Sequence, residues 1–168
     1  MYVNPSKLGR LLLMFGLALA FCGALGGCAK MSPIAELEQA TSITLYSIDG
    51  NHHPQDENDK PPVTVEMFHG YPLLGKIELP DGAEREALLR ELRRGIESND
   101  GRVAGCFIPR HALRAVQAGG TADYVICFEC NQVQVYENGK RVDGHLTTSQ
   151  PQPAFDAVLK KAKIPLAP

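Results

Sequence analysis

The chain has 168 residues, with 17 Lys+Arg against 19 Asp+Glu, five Cys and no Trp. That length suits one ordinary domain, and 44% apolar with 21% charged residues excludes a disordered acidic tail, a collagen-like repeat and a disulfide-dense mini-protein. A net charge of -2 excludes a generally basic nucleic-acid binder, which needs surplus cations to neutralise phosphates.

Residues 1–27 read as an export signal. Lys7 and Arg10 make a positive start, and residues 11–21, from Leu11 to Phe21, form an uncharged apolar run. The run is shorter than the roughly 20 apolar residues that a membrane-crossing helix needs. It passes into Ala24-Leu25-Gly26-Gly27-Cys28, where small residues precede a cysteine. With Leu25 three positions before Cys28 and two glycines between, this segment resembles the lipobox of bacterial lipoproteins. The resemblance implies that Cys28 receives diacylglycerol, that the chain is cut before it, and that the new amine is acylated, with palmitate the expected kind of chain. A thiolate suits that role because it is a far better nucleophile than a serine hydroxyl. Several acyl chains on one residue exceed what stable anchoring needs. An ordinary cleaved signal and an uncleaved apolar anchor are the alternatives, and all three place the rest of the chain outside the cytosol. Ala29 after the cysteine implies, by the same resemblance, the outer membrane where the cell has one. Cleavage before Cys28 discards Cys22 and, by removing Lys7 and Arg10, makes the balance two charges more acidic.

Residues 28–40 form a lipidated tether with a short helix started by Ser32-Pro33. A strand over 42–48 places Ile43 and Leu45 on one face. Residues 50–62 are a long solvated loop in which His52 and His53 stand beside Asp56, Glu57 and Asp59 without the spacing of a calcium loop. Strands over 63–68 and 73–79 flank a turn at His69-Gly70-Tyr71-Pro72, and His69 there and His145 further on read as surface residues. Asp81 is the expected N-cap of the next helix, with Glu84 completing a capping box, Leu88, Leu89, Leu92 and Ile96 as its apolar stripe, and a Glu86–Arg90 pair on its solvated side. Beyond Asn99-Asp100-Gly101, strands over 110–117 and 121–128 flank Gly119-Gly120, and residues 125–128 are apolar enough for burial on both faces. Residues 132–136 alternate polar and apolar, and Asn138-Gly139 leads into a strand from Arg141 towards Leu146. A helix over 154–162 carries Phe155, Val158, Leu159 and Ala162 on one stripe. Residues 41–168 are therefore expected to form one α+β domain, an antiparallel sheet of about five to seven strands with two amphipathic helices packed on one face.

Cys106, Cys127, Cys130 and His111 fall within 25 residues of chain and carry four open readings. One is a disulfide from Cys106 to Cys127 or Cys130 with the third thiol left over, since three cysteines cannot all pair within one chain. Another is a Cys3His zinc-type site, which needs a turn or bulge at 129–131 to bring Cys127 and Cys130 to one side. The others are a redox Cys-x-x-Cys and unlinked thiols acting as small core hydrophobes. A hairpin centred on Gly119-Gly120 would set Cys127 opposite Ala112 and His111 opposite Phe128. A catalytic pair of Cys106 or Cys127 with His111 lacks a marked third group. Cys-Phe-x-Pro-Arg-His with Cys-Phe-x-Cys resembles a pattern in small bacterial proteins of unknown function, and the resemblance carries over neither an activity nor a functional residue. The chain has no phosphate-cradling glycine loop, Gly-x-Ser-x-Gly elbow or His-Glu-x-x-His. The expectation is a non-enzymatic, lipid-anchored cell-envelope protein that presents a structural or protein-binding domain to an envelope partner, with no cofactor and no nucleic acid. A zinc-binding envelope module is the alternative, and an envelope hydrolase or redox enzyme the third reading.

Overall fold

The computed structural model describes residues 32–52 and 64–168. The apolar run, Cys28, and the loop residues His53, Asp56, Glu57 and Asp59 lie outside the described residues. In chain order the elements are α1 (Ala35–Glu38), β1 (Ser42–Ile48), β2 (Met67–Phe68), β3 (Tyr71–Leu79), α2 (Ala83–Glu97), β4 (His111–Gln117), β5 (Gly120–Cys127), β6 (Gln132–Glu137), β7 (Lys140–Leu146) and α3 (Gln152–Lys161). The strands form a seven-stranded sheet in the order β2-β3-β1-β4-β5-β6-β7, and every pairing is antiparallel. Seven antiparallel strands with three helices make an α+β architecture. Among the described residues no helix is long and apolar enough to cross a membrane.

Period-two alternation sorts the strand side chains into two apolar clusters. Ile43, Leu45, Leu113, Tyr124, Ile126 and Val133 join Leu88, Leu89 and Leu92 of α2 and Phe155, Val158 and Leu159 of α3 in the larger core. Positions of opposite parity, Tyr46, Ala112 and Val125, meet Phe68 and Tyr71 of the β2–β3 hairpin in the smaller one. The central strands are thus buried on both faces, as the apolar run at 125–128 leads one to expect. The hairpins close through two-residue turns with positive φ at His69 and Gly70, and again at Asn138 and Gly139, the backbone that a tight antiparallel turn demands.

Several local expectations are corrected. The β4–β5 turn is Ala118-Gly119, with Gln117 opposite Gly120, so His111 faces Ile126 and Ala112 faces Val125. Each partner differs from the expected one by two residues, which leaves every side chain on its expected face. Secondly, Gly82 stands at the α2 N-cap and Asp81 does not cap the helix. The Asp81 carboxylate instead takes the Arg85 guanidinium, whose other arm donates to Ala40 O at 2.6 Å. The expected Glu86–Arg90 pair gives way to Arg94 on Glu91. Thirdly, β2 begins only at Met67, with Thr64, Val65 and Glu66 outside the strand.

Two close approaches lock the chain around this sheet. After α3 the chain returns over β1 and β3: Ser47 Oγ donates to Pro165 O at 2.6 Å, and Ile164 occupies the space a side chain at Gly75 would need. At Gly95 of α2, an added Cβ would lie 2.5 Å from Pro151 Cγ and 2.8 Å from Thr147 Oγ1, while Thr148 N–H donates to Gly95 O at 3.1 Å. The segment entering α3 therefore rests directly on the α2 backbone. Alanine favours a helix over glycine by about 1 kcal/mol, but overpacking here costs about 1–3 kcal/mol. Gly95→Ala is expected to lower the urea midpoint in spite of its better helix propensity; a raised midpoint would show that the contact does not constrain the fold.

Candidate functional site

Three clusters of chemically capable side chains stand on this framework. The first lies on the sheet face opposite the larger core. Arg114 on β4 and Asp123 on β5 are directly opposite, and the guanidinium grips the carboxylate in a two-pronged pair, Nε to Oδ1 and Nη2 to Oδ2, both 2.7 Å. Asp123 is only 1% exposed at its side chain. His69, from the β2–β3 turn, reaches across to place Nε2 2.7 Å from Asp123 Oδ2. An ionised carboxylate can only accept, so Nε2 carries the proton of that bond. Aromatic rings complete the cluster: His69 lies over Tyr136 at 3.9 Å between centroids, Phe68 stacks on Tyr46 at 4.3 Å, and the Arg114 guanidinium sits 4.9 Å from the Phe68 centroid. Burial is the largest influence on the Asp123 carboxyl and acts to raise its pKa, but the hydrogen bonds from Arg114 and His69, with their charges, outweigh it and hold the group below the usual carboxylate range.

The second cluster lies beside the larger apolar core. His111, buried, places Nε2 2.9 Å from Asp156 Oδ1 of α3, and its ring sits 5.4 Å from Phe128 and 5.7 Å from Phe155 between centroids. The hydrogen bond from His111 lowers the pKa of Asp156 against an opposing contribution from burial. The cavity beside this pair, lined by Ile108, Arg110, His111, Glu129 and Gln152 among others, has a volume of about 10 Å³, room for one water.

The third cluster holds the cysteines. Cys127 ends β5, and the turn that follows passes through Asn131 at positive φ before β6 starts at Gln132. That turn is the one at 129–131 which joint use of Cys127 and Cys130 requires. The structure joins these two as a disulfide with Cα atoms 5.2 Å apart, and Cys130 N–H donates to Cys127 Sγ at 3.1 Å. Cys106 is a free, exposed thiol, and its Sγ stands 2.8 Å from Cys130 Sγ. The bridge thus spans three residues, where the disulfide expected from the sequence ran from Cys106 to Cys127 or Cys130. His111 is not with the thiols: it shares a face with its partner Ile126, whereas Cys127, next to Ile126, points the other way. Among the described residues no group of three or more His, Cys, Asp or Glu is arranged to hold a metal ion. His52 Nδ1 lies 3.2 Å from Asp49 Oδ2.

The sequence brought forward Cys106, His111, Cys127 and Cys130 and passed over Arg114, Asp123 and His69. His69, expected at the surface, has a side chain 10% exposed. One signal was present: Asp123 is a lone charge inside a strand that is otherwise apolar from Ala122 to Cys127, and such a charge demands a partner. No family model, curated protein or solved structure matches the chain.

Asp123 and Asp156 both titrate below the unfolded carboxylate value, so the folded state takes up their protons less readily than the unfolded chain. Their stabilisation is complete above that unfolded value, near about 4, and is lost as pH falls through the lower folded values. The thermal midpoint is expected to drop in acid below about pH 4, and to drop less in Asp123→Asn, whose side chain does not titrate. At neutral pH, Asp123→Ala is expected to cost about 3 kcal/mol, since it leaves Arg114 and His69 without their acceptor. An acid drop in Asp123→Asn equal to that of the parent chain would refute the assignment.

Proposed function

We propose that this chain is a lipid-anchored protein of the bacterial cell envelope, attached through Cys28, whose α+β domain has a structural or protein-binding role and no catalytic one. The observation that carries the reading is the segment from Lys7 to Cys28: a positive start, an apolar run too short to span a bilayer, then Leu25-Gly26-Gly27-Cys28. Two features of the domain support the non-catalytic part. Two of the histidine–carboxylate pairs tie one element to another, the β2–β3 turn to β5 through His69–Asp123 and β4 to α3 through His111–Asp156. Arg114 takes both oxygens of Asp123, and that carboxylate is thereby committed to holding charge rather than moving protons. In this reading α2 and α3 cover one face of the sheet together, supported by their shared place in the larger apolar cluster. The opposite face is closed in part by the protein's own hairpin, with Arg114, Tyr136 and Lys76 around it.

The test is made in the native cell envelope. With the parent chain, labelled palmitate is expected in the protein, and the protein in the membrane fraction after a high-salt wash. Cys28→Ser is expected to abolish the label and remove the protein from that fraction. A Cys28→Ser chain that still fractionates with membranes would refute anchoring at this residue.

A further inference from the structure

We propose that Cys106, Cys127 and Cys130 form an internal thiol–disulfide exchange site, in which the exposed Cys106 thiol attacks Cys130 and relocates the bridge. The proposal stands on the described domain and does not depend on the lipid anchor.

Three observations carry it. Exposure is divided between the sulfurs: Cys106 is open to solvent, while Cys127 is 1% and Cys130 0% exposed, so the bridge itself is shielded and the free thiol is the one that solvent reaches. Cys106 is also held in place by bonds on both sides of it. Ala104 N–H donates to Cys130 O at 3.1 Å, Gln132 Nε2 donates to Ala104 O and Cys106 O at 2.8 Å each, and Ile108 N–H donates to Cys130 Sγ at 3.4 Å. An ion pair of Arg110 with Glu129 ties the same two segments together. The loop from 103 to 109 is thereby fixed against the β5–β6 turn, and a nucleophile so placed avoids most of the entropy cost of an encounter. The site is also asymmetric. Cys106 Sγ lies against Cys130, and the backbone N–H of Cys130 points at the other sulfur, Cys127 Sγ, at 3.1 Å. A donor at that position stabilises developing negative charge on the sulfur that must leave, and a better leaving thiolate speeds exchange.

The step balances without an outside oxidant. The Cys106 thiol loses its proton to solvent, and the thiolate attacks Cys130 Sγ. The Cys106–Cys130 bond forms as the Cys127–Cys130 bond breaks, with that electron pair leaving on Cys127 Sγ, which takes up a proton. One disulfide and one thiol exist before and after. What changes is the span of the bridge, from three residues to 24, and the seat of the free thiol, from an exposed loop to a buried strand end. The longer bridge closes a larger loop and so restrains the unfolded chain more. Oxidants of the low-molecular-weight disulfide class would find a reactive thiol in the first state and a shielded one in the second.

The experiment uses the full chain, purified in detergent without reductant and held at mildly alkaline pH before acid quenching. Free thiols are then labelled with N-ethylmaleimide in denaturant. Cleavage after Arg102, Arg110 and Glu129 puts the three cysteines on separate peptides. Two species are expected: a Cys127–Cys130 bridge with label on Cys106, and a Cys106–Cys130 bridge with label on Cys127, the second in about a tenth of chains or more. In Cys127→Ser, oxidised glutathione is expected to produce the Cys106–Cys130 bridge. Among these three cysteines, label confined to Cys106 at every pH tested would overturn the proposal, whether or not the Cys127→Ser chain folds. So would a folded Cys127→Ser chain in which the two remaining thiols are glutathionylated separately. Stoichiometric zinc with all three thiols protected and no bridge would also overturn it in favour of a metal-thiolate site.

Discussion

An ionised carboxylate cannot stay unpaired inside a protein, and Asp123 puts one at the centre of the sheet. Its two partners come from different distances along the chain. Arg114 is the cross-strand neighbour on β4, so the pair pins the β4–β5 register: a one-residue slip would turn the guanidinium to the other face. His69 comes from 54 residues away and draws the β2–β3 hairpin over the sheet. Once the hairpin is there, Phe68 and Tyr71 close the smaller apolar cluster over Tyr46, Ala112 and Val125. The hairpin that carries His69 to Asp123 is thus also the one that closes the second core. Next to β3 the two-residue strand Met67–Phe68 is extended by Leu73 N–H on Glu66 O at 2.8 Å and by Lys76 on Glu66, and His69 on Asp123 adds the tie from this hairpin to β5.

The same device occurs on the other side. His111 on β4 and Asp156 on α3 join a strand to a helix through an imidazole–carboxylate bond flanked by Phe128 and Phe155. In both pairs the histidine is shielded and the carboxyl is held ionised to lower pH than usual. Packing against rings restricts where each imidazole can go, and the carboxylate settles which nitrogen carries the proton. Such pairs add direction to contacts that apolar side chains alone would leave free to slide.

Most of the architecture was legible because it is written locally. Ile43 and Leu45 on β1, the alternation of Gln132 to Tyr136, and Asn138-Gly139 each declare themselves within a few residues, and the strands stand close to where period two puts them. The β4–β5 turn was misplaced by one position at its centre, because Ala118-Gly119-Gly120 offers two adjacent places to turn and composition does not choose between them. Asp81 looked like a cap by residue type, yet Arg85 one turn along claimed its carboxylate. The Asp123 cluster was hidden for a different reason: its members lie on three separate elements, and only the sheet order brings the β2–β3 turn above β5. For the cysteines, the sequence put Cys106, Cys127 and Cys130 forward together, but the identity of the bonded pair is decided by the turn from Phe128 to Asn131, whose geometry residue types do not encode.

The tail beyond α3 bears on how the chain is made. Ser47 lies in the first strand and Pro165, its hydrogen-bond acceptor, 118 positions later, with Ile164 seated over Gly75. The earliest strand therefore stays partly uncovered until the ribosome has passed nearly the whole domain, and a contact so distant in sequence forms late in folding.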